Sequence, residues 1–462
     1  MHDDNSRAML ASALGELISA SPVGARLPSV RELQQRYQVS PLTVQHVVRD
    51  LAAKGLVTVR PGSGTFVAAA PPRGPRPADL AWQHAALGGR TPQDMTRHLA
   101  LLEAPHPDTI RMSGGYLDES LIPEKALVAS MTRAMRRTGV WGRAPVEGTA
   151  AARQWFARQS GGFDPAEVLI TSGGQIALSI AIRALTRPGD AIVLETPTYP
   201  GYTAIARGHG LDIHPVPTDR DGLRTDLLED VLRARVARLV VVQPLYANPT
   251  GGVLAPDRRR ELLDLARRHG VFVLEDDYAR DLCIDGAQPP TLASQDQHGH
   301  VVYVRSITKP VAPAVRLAAL AARGPALARL RAAKTLEDFY VSGPLQEAAV
   351  DFLSSPAWQR HRRTVSRELG LRRDGLLAAL RSRLPGVDVA HVPAGGMHLW
   401  ARLPEGYDDA DVAARALAAG VMVSAGSTWF TAEPEGAYLR LTYGETPVAQ
   451  LVEGARRLAS VL

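Results

Sequence analysis

Cysteine is nearly absent from the sequence, since Cys283 is the only one in 462 residues. An internal disulfide is therefore excluded, and because Cys283 follows an apolar segment, a buried structural thiol is favoured over a nucleophile. Long apolar runs are also missing, because none reaches the ~18 residues that a membrane-spanning helix needs. The first residues, Met1 to Asn5, lack a signal-peptide pattern. We therefore expect a cytoplasmic protein with no membrane partner.

Neither sign of charge dominates the chain. Its formal net charge is +6 and its pI is about 9.6, which permits an anionic partner without requiring one. Hydrophobic residues make up 45% of the sequence and charged residues 22%, as in ordinary globular proteins. The length exceeds what one hydrophobic core usually supports, so we expect two or more domains.

A lysine follows a short apolar segment in the second half of the chain. Residues 301–304 are typical of a buried strand, so Lys309 lies near the carboxyl end of that strand, where open α/β sheets bind ligands. Ser306, Thr308 and Arg316 surround it with groups that bind phosphate. A phosphorylated aldehyde suits such a site. Pyridoxal 5'-phosphate is one, and Lys309 supplies the amine that holds it as a Schiff base.

Four other strand ends carry groups that this cofactor needs. Ser172, Gly173 and Gly174 follow one apolar segment and precede a helical pattern, which offers free backbone N–H groups to a phosphate. The other strand ends provide side chains for the pyridine ring. These are Tyr199 for stacking, Asn248 and Tyr278 for the phenolic oxygen, and Asp276 for the ring nitrogen.

Each of these segments alone has a simpler interpretation. Asn-Pro-Thr-Gly at Asn248 is often an ordinary turn, Glu-Asp-Asp at Asp276 an exposed loop, and a single arginine such as Arg440 a surface charge. Together they lie at successive strand ends and match the groups of one ligand. That agreement favours a pyridoxal phosphate site, and no metal site is predicted.

The segments resemble the fold-type I, aspartate-aminotransferase-like family over residues 88–462. The resemblance implies a large, doubly wound α/β domain with a parallel sheet and a small C-terminal α/β domain. It assigns the Schiff base to Lys309, and it assigns Arg440, in Tyr-Leu-Arg-Leu-Thr-Tyr, to the substrate carboxylate. Gly115 is expected to bring main chain near the substrate. The cofactor residues that it implies are Ser172, Gly173, Gly174, Tyr199, Asn248, Asp276, Tyr278, Ser306 and Arg316.

The N-terminal region has the pattern of three helices and a hairpin. Apolar residues recur at helical spacing over residues 7–20, and Ser29 with Glu32 forms a capping box for a second helix. A third helix is predicted from Pro41 to Lys54, and two strands flank Pro61-Gly62-Ser63-Gly64. These elements predict a winged helix-turn-helix, whose third helix enters the DNA major groove.

Residues 27–33, Leu-Pro-Ser-Val-Arg-Glu-Leu, and residues 62–67, Gly-Ser-Gly-Thr-Phe-Val, are similar to the GntR family of bacterial repressors. That resemblance implies DNA contacts by Arg31, Ser40, Thr43, Gln45 and Gly62. Pro41 stands where the family often has arginine. The alternative is a small helical domain that binds protein.

We predict three parts in the chain: a winged helix-turn-helix at 1–68, a Pro/Ala-rich linker at 69–87, and a cofactor-binding, effector-sensing domain at 88–462. Proline removes backbone donors and favours an extended linker. This order of parts is similar to the MocR subfamily of GntR regulators. The resemblance implies a head-to-tail homodimer that binds operator DNA and senses an amine, an amino acid or pyridoxal phosphate.

Two alternatives stay open. One is an active aminotransferase that carries a DNA-binding domain, and the other is a scaffold that binds DNA without a cofactor. Arg143 stands where many relatives have a tyrosine that reaches the phosphate of the neighbouring subunit, and Pro310 follows Lys309 where a small polar residue is commoner. Neither departure removes the Schiff-base lysine.

Overall fold

The computed structural model describes residues 2–69, 80–87, 106 and 108–462. The chain divides into two compact units, residues 1–92 and 93–462. Most of the predicted linker, residues 70–79, lies outside the described residues. The proline-rich part for which extended chain is predicted falls mostly in these residues, and the last part of the linker contains a short helix, Ala81–Ala86.

The first unit is a winged helix-turn-helix, as predicted. Its antiparallel hairpin pairs Val57 with Val67 and Arg60 with Gly64. Its core consists of buried residues from five elements and from the loop before α2, which contributes Leu27: Leu10, Leu14, Leu27, Leu33, Val44, Val47, Leu51, Val57 and Val67. The elements are α1 (His2–Ala20), α2 (Val30–Tyr37), α3 (Pro41–Ala53), β1 (Val57–Arg60), β2 (Gly64–Val67) and α4 (Ala81–Ala86).

Local capping fixes where α2 and α3 begin. The Ser29 hydroxyl accepts a hydrogen bond from the Glu32 N–H, while the Glu32 carboxylate accepts one from the Ser29 N–H, at 3.3 and 2.7 Å. This confirms the predicted capping box. Ser40 caps α3 by accepting from the Thr43 N–H, at 3.1 Å, and Pro41 occupies the first turn.

The second unit has a large α/β domain and a small C-terminal domain. The helices are α5 (Glu124–Met135), α6 (Ala150–Ser160), α7 (Gly174–Leu185), α8 (Pro200–Gly208), α9 (Thr225–Ala234), α10 (Pro256–His269), α11 (Leu292–Gln295), α12 (Gly324–Asp338), α13 (Gly343–Leu353), α14 (Pro356–Arg383), α15 (Asp409–Ala418) and α16 (Val448–Ala459). The strands are β3 (Ile110–Arg111), β4 (Val168–Thr171), β5 (Ala191–Thr196), β6 (Asp212–Asp219), β7 (Gly222–Leu223), β8 (Ala237–Val242), β9 (Phe272–Asp276), β10 (Val301–Ser306), β11 (Ala318–Ala321), β12 (His398–Arg402), β13 (Val421–Met422), β14 (Ser424–Ala425) and β15 (Tyr438–Thr442).

Eight strands form the central sheet, in the order β4-β11-β10-β9-β8-β5-β6-β7. Strands β10, β9, β8, β5 and β6 are parallel, but β11 is antiparallel to β10 and β4, and β7 is antiparallel to β6. The predicted doubly wound domain with its parallel strands is therefore confirmed, and β7 and β11 make the sheet mixed. Residues 307–317 connect β10 to β11 without a crossover helix, so the chain returns antiparallel.

The small domain contains a three-stranded antiparallel sheet, β12-β15-β14, and α14 packs with α16. Its register pairs His398 with Thr442 and Trp400 with Arg440. One face of the sheet thus carries a histidine and an arginine beside each other. No helix in the described ranges is long and apolar enough to cross a membrane.

Candidate cofactor-binding site and DNA-binding surface

A pocket lies at the carboxyl ends of the parallel strands in the second unit. Strand β10 ends at Ser306, and the turn that follows carries Lys309 into the pocket. The lining brings together nine of the residues predicted from the sequence: Gly115, Gly174, Tyr199, Asn248, Asp276, Tyr278, Ser306, Lys309 and Arg316. Of the other predicted residues of the second unit, Ser172 and Gly173 contact Arg316, and Arg440 contacts Asn248.

Lys309 is held in an environment that weakens its base strength. Burial, together with the positive charges of Arg440 and Arg316, lowers the pKa of Lys309 to about 7. Its Nζ lies 3.8 Å from the centroid of the Tyr116 ring. A substantial neutral fraction near pH 7 makes the amine nucleophilic. Tyr116 was not predicted from the sequence, although it directly follows Gly115.

The groups predicted to bind phosphate lie around the start of α7. This helix of 12 residues has no side-chain cap, so its first N–H groups are available to an anion. Gly173 has φ +101°, and a Cβ there would lie 2.7 Å from Arg316 Nη2, so glycine is required. Within the described part of the chain, the buried Thr308 hydroxyl has no hydrogen-bond partner. An anion with several oxygens fits this set of donors.

The Ser172 side chain points to a different partner. Its hydroxyl donates to Asp338 Oδ2 at 3.4 Å, and Lys334 Nζ lies 2.6 Å from Asp338 Oδ1. Arg316 Nη2 donates instead to the Ser172 carbonyl, at 3.3 Å. The role of Ser172 toward a phosphate therefore stays a prediction that requires its hydroxyl to turn.

Asp276 is the centre of a buried network that the sequence did not reveal. Tyr202 Oη and Gln243 Nε2 both donate to Asp276 Oδ2, at 2.5 and 3.0 Å. Burial raises the pKa of Asp276 to about 6, while these two hydrogen bonds oppose the rise. Gln243 is fixed in turn, because its Oε1 accepts from the Asn248 N–H at 2.9 Å. The network keeps a carboxylate ready for a cationic partner.

Replacing Tyr202 by Phe should weaken cofactor binding. The Tyr202 hydroxyl lowers the pKa of Asp276, so its loss raises that pKa and leaves less carboxylate at neutral pH. We expect the dissociation constant of pyridoxal phosphate to rise about tenfold at pH 7, and the pH midpoint of binding to move upward. Equilibrium titration from pH 5 to 8 measures both. Tyr443→Phe, which removes another buried hydroxyl, is the control, and an identical midpoint in wild type and Tyr202→Phe would contradict the assignment.

The residues predicted for the ring have other partners in the structure. Tyr278 Oη donates to the Tyr246 carbonyl at 2.8 Å, and burial raises its pKa, so the phenol is neutral. Tyr199 Oη donates to Gln175 Oε1 at 3.1 Å, and burial raises the pKa of Tyr199 to about 12. Both rings nevertheless line the pocket.

Arg440 is buried beside the pocket and already makes hydrogen bonds. Nη1 donates to Asn248 Oδ1 at 3.2 Å, and Nη2 donates to the carbonyls of Ser113 and Gly114, the latter at 3.1 Å. The guanidinium lies 4.1 Å from the centroid of the Trp429 ring. The arrangement holds a charged, oriented fork of donors beside Lys309.

The predicted DNA-binding residues lie in the first unit. Arg31, Ser40, Gln45 and Gly62 are exposed. Thr43 is different, because it is only 7% exposed and its hydroxyl lies 2.8 Å from the Ser40 hydroxyl. Thr43 was expected to contact DNA together with these residues, and the structure corrects this by burying it at the first turn of α3.

Comparisons with known proteins agree with both units. Residues 113–458 match the family Aminotransferase class I and II, and residues 7–67 match Bacterial regulatory proteins, gntR family. The HTH-type transcriptional regulator TauR of Rhodobacter capsulatus is 30% identical over 95% of this chain and 92% of its own length. The probable rhizopine catabolism regulatory protein MocR of Rhizobium meliloti is 28% identical over 94% and 89%.

A solved structure shows the same fold in the second unit. LysN, the alpha-aminoadipate aminotransferase of Thermus thermophilus, was solved in complex with N-(5'-phosphopyridoxyl)-L-leucine. It is 29% identical, with a TM-score of 0.76, and the match covers 83% of this chain and 98% of LysN.

Fold and site together define a class of protein in which a GntR winged helix is joined to a fold-type I, aminotransferase-like unit. The chain belongs to the aminotransferase class I and II family and, within it, to the MocR-type HTH transcriptional regulators.

Proposed function

We propose that this protein is a pyridoxal-phosphate-dependent transcriptional regulator. It binds operator DNA through its winged helix and senses an amine, an amino acid or the cofactor itself at Lys309. The proposal depends mainly on one observation. The same chain contains an exposed recognition helix and a pocket that suits each part of the cofactor. Its membership of the MocR-type family supports the same function.

When bound, pyridoxal phosphate supplies an aldehyde that reacts with amines and a ring that withdraws electrons. Lys309 holds the cofactor covalently, and its partly neutral amine suits that role. Asp276 binds the ring nitrogen, Tyr278 and Asn248 bind the phenolic oxygen, and Tyr199 stacks on the ring. The residues proposed for the phosphate are Ser172, Gly173, Gly174, Ser306 and Arg316.

Arg440 is proposed to bind the effector carboxylate. That carboxylate competes with main-chain carbonyls for the donors of Arg440. Its donors now hold the carbonyls of Ser113 and Gly114, next to Gly115 in the pocket wall. A carboxylate that takes over those donors releases these carbonyls. Residues 113–115 then have two arrangements, and an effector shifts the population toward one of them.

A DNA-binding regulator of this kind acts in the cytoplasm as a homodimer, with its two large domains paired head to tail. Leu336 and Phe339, at the end of α12, are 88% and 67% exposed. Neighbouring apolar side chains with that exposure support a surface that a second subunit covers.

An active aminotransferase with a DNA-binding domain is the second candidate. Lys309, Asp276 and Tyr278 line one pocket with Arg440 beside it, and LysN, which has the same fold, is an aminotransferase. Two departures favour regulation. Arg143 replaces a tyrosine that is common in relatives, and Pro310, after Lys309, is fixed by a 2.6 Å hydrogen bond between its carbonyl and His361 Nε2.

Effector-dependent DNA binding tests the proposal. With the promoter region beside the gene, a mobility-shift titration of the holoprotein should show at least ~tenfold change in DNA affinity when the cognate amine is added, a coupling of ordinary size. Lys309→Ala should bind the same DNA without responding. A protein with no sequence preference that turns over an amino acid and a keto acid at ~1 per second or faster would instead be the enzyme.

A further inference from the structure

A histidine on β12 lines the cofactor pocket, and neither the sequence analysis nor the proposed function uses it. His398 contributes to the same pocket wall as Lys309 and is only 2% exposed. It pairs with Thr442 across the sheet, two positions along the strand from Trp400, the backbone partner of Arg440, so both pairs lie on one face. The side chain therefore belongs to the part of the pocket where an effector would lie between Lys309 and Arg440.

The hydrogen bonds of Thr442 favour one tautomer of His398. Thr442 Oγ1 lies 3.0 Å from the Met397 carbonyl and 3.1 Å from His398 Nδ1. A carbonyl only accepts, so the Met397 contact is a hydrogen bond when Thr442 donates its single hydroxyl proton there, beside the Tyr443 N–H that this carbonyl accepts at 2.8 Å. The second contact is then a hydrogen bond only if Nδ1–H donates to Thr442 Oγ1. Thr442 is fully buried, where unsatisfied polar groups are costly, so this tautomer is favoured.

The other ring nitrogen, Nε2, is then a lone-pair acceptor. Burial and the positive charges of Arg440 and Lys309 lower the pKa of His398 well below its usual value, so the ring stays neutral. Within the described ranges, Nε2 has no hydrogen-bond partner, whereas Nδ1 has Thr442. The pocket wall thus presents one neutral acceptor that needs a donor.

We propose that His398 selects effectors whose side chain carries a neutral hydrogen-bond donor, a hydroxyl or a carboxamide. The inference rests on the proposed function, because it takes the effector to be an amino acid bound between Lys309 and Arg440. A side-chain carboxylate offers only lone pairs to Nε2, and a side-chain ammonium meets the positive charges of Lys309 and Arg440. A hydroxyl or amide N–H is uncharged and can donate to Nε2. An alkyl side chain leaves Nε2 unpaired.

Matched pairs of amino acids that differ by a hydroxyl in place of a methyl test the proposal. The pairs are serine and 2-aminobutyrate, homoserine and norvaline, and 5-hydroxynorvaline and norleucine, which place the hydroxyl at three distances. Each is titrated into the cofactor-loaded protein, followed by visible absorbance and by calorimetry. In the pair with the right length, we expect the hydroxyl compound to bind about tenfold more tightly.

Three variants separate recognition from structure. His398→Phe keeps an aromatic ring without the acceptor and should abolish the preference. His398→Gln, whose carboxamide oxygen also accepts, should retain part of it. Thr442→Val keeps the shape of the strand but removes the acceptor for Nδ1–H, so the imidazole is free to change tautomer and the preference should fall.

The outcomes distinguish this inference from the proposed function. Equal affinities within all three pairs, or a preference that persists in His398→Phe, would overturn the role of His398 and leave effector sensing intact. If none of the six amino acids changes the spectrum of a protein whose cofactor is attached to Lys309, amino-acid sensing fails together with this inference. If His398→Phe does not fold, unchanged selectivity in both His398→Gln and Thr442→Val counts against the tautomer argument.

Discussion

Lys309→Ala should lose the covalently attached cofactor completely. Wild-type protein incubated with pyridoxal phosphate and then treated with borohydride should retain an absorbing adduct after denaturation. The variant should retain none, because it lacks the amine that attacks the aldehyde. Its phosphate-binding groups, Thr308 and Arg316 among them, are untouched, so weak noncovalent binding should persist. Intact-mass spectrometry measures the adduct directly.

The pH dependence of attachment follows from the environment of Lys309. Its pKa is lowered to about 7, so the amine is mostly protonated at pH 6 and mostly neutral at pH 8. The rate of attachment to the apoprotein should therefore rise with pH and level off above about 7. Lys125→Ala, which removes an exposed lysine on α5, is the matched control for adduct formation by Lys309→Ala. If Lys309→Ala forms the adduct in wild-type yield, another residue attaches the cofactor.

Nine of the residues predicted from the sequence meet in one pocket, because they lie at or near strand ends. Asp276 is the last residue of β9, and Asn248 and Lys309 follow β8 and β10; parallel strands bring such ends together at one edge. The capping box at Ser29 was equally predictable, because all its partners lie within one turn. The sequence thus predicts a feature such as this cap when the interacting residues are close together in the chain.

The features that the sequence did not predict have physical explanations as well. Tyr202 lies on α8 and its partner Asp276 is 74 residues away, so only the tertiary fold joins them. Gln243 is a polar residue directly after β8, so its position at a strand end indicated a role in the pocket as much as that of Asn248 did. It was not predicted. Strand β11 reads Ala-Ala-Leu-Ala, a composition that favours helix, yet all four residues are buried in the sheet. Thr43 satisfies its hydroxyl through Ser40, which helical periodicity alone does not show.

Substitutions on the first unit should separate sequence recognition from general attraction to DNA. Gln45 is exposed on α3, the helix expected in the major groove, where a glutamine side chain reads adenine. Gln45→Ala should therefore relax preference at one base position by about 1–3 kcal/mol and leave other positions unchanged. Selection from random DNA, followed by titration of single-base variants, measures this. Unchanged discrimination at every position would remove Gln45 from the reading surface.

Arg31→Ala should instead weaken binding to all sequences, because an exposed arginine at the start of α2 suits a phosphate. Affinity for the selected operator should fall steeply as salt rises, and the slope of log affinity against log salt should decrease by about 1 in the variant, since one counterion fewer is released. Arg220→Ala removes an equally charged side chain, 89% exposed, from the second unit and should keep the wild-type slope. A base-specific effect in Arg31→Ala would show that this arginine reads sequence, and equal slopes in all three proteins would place the electrostatic contact elsewhere on the winged helix.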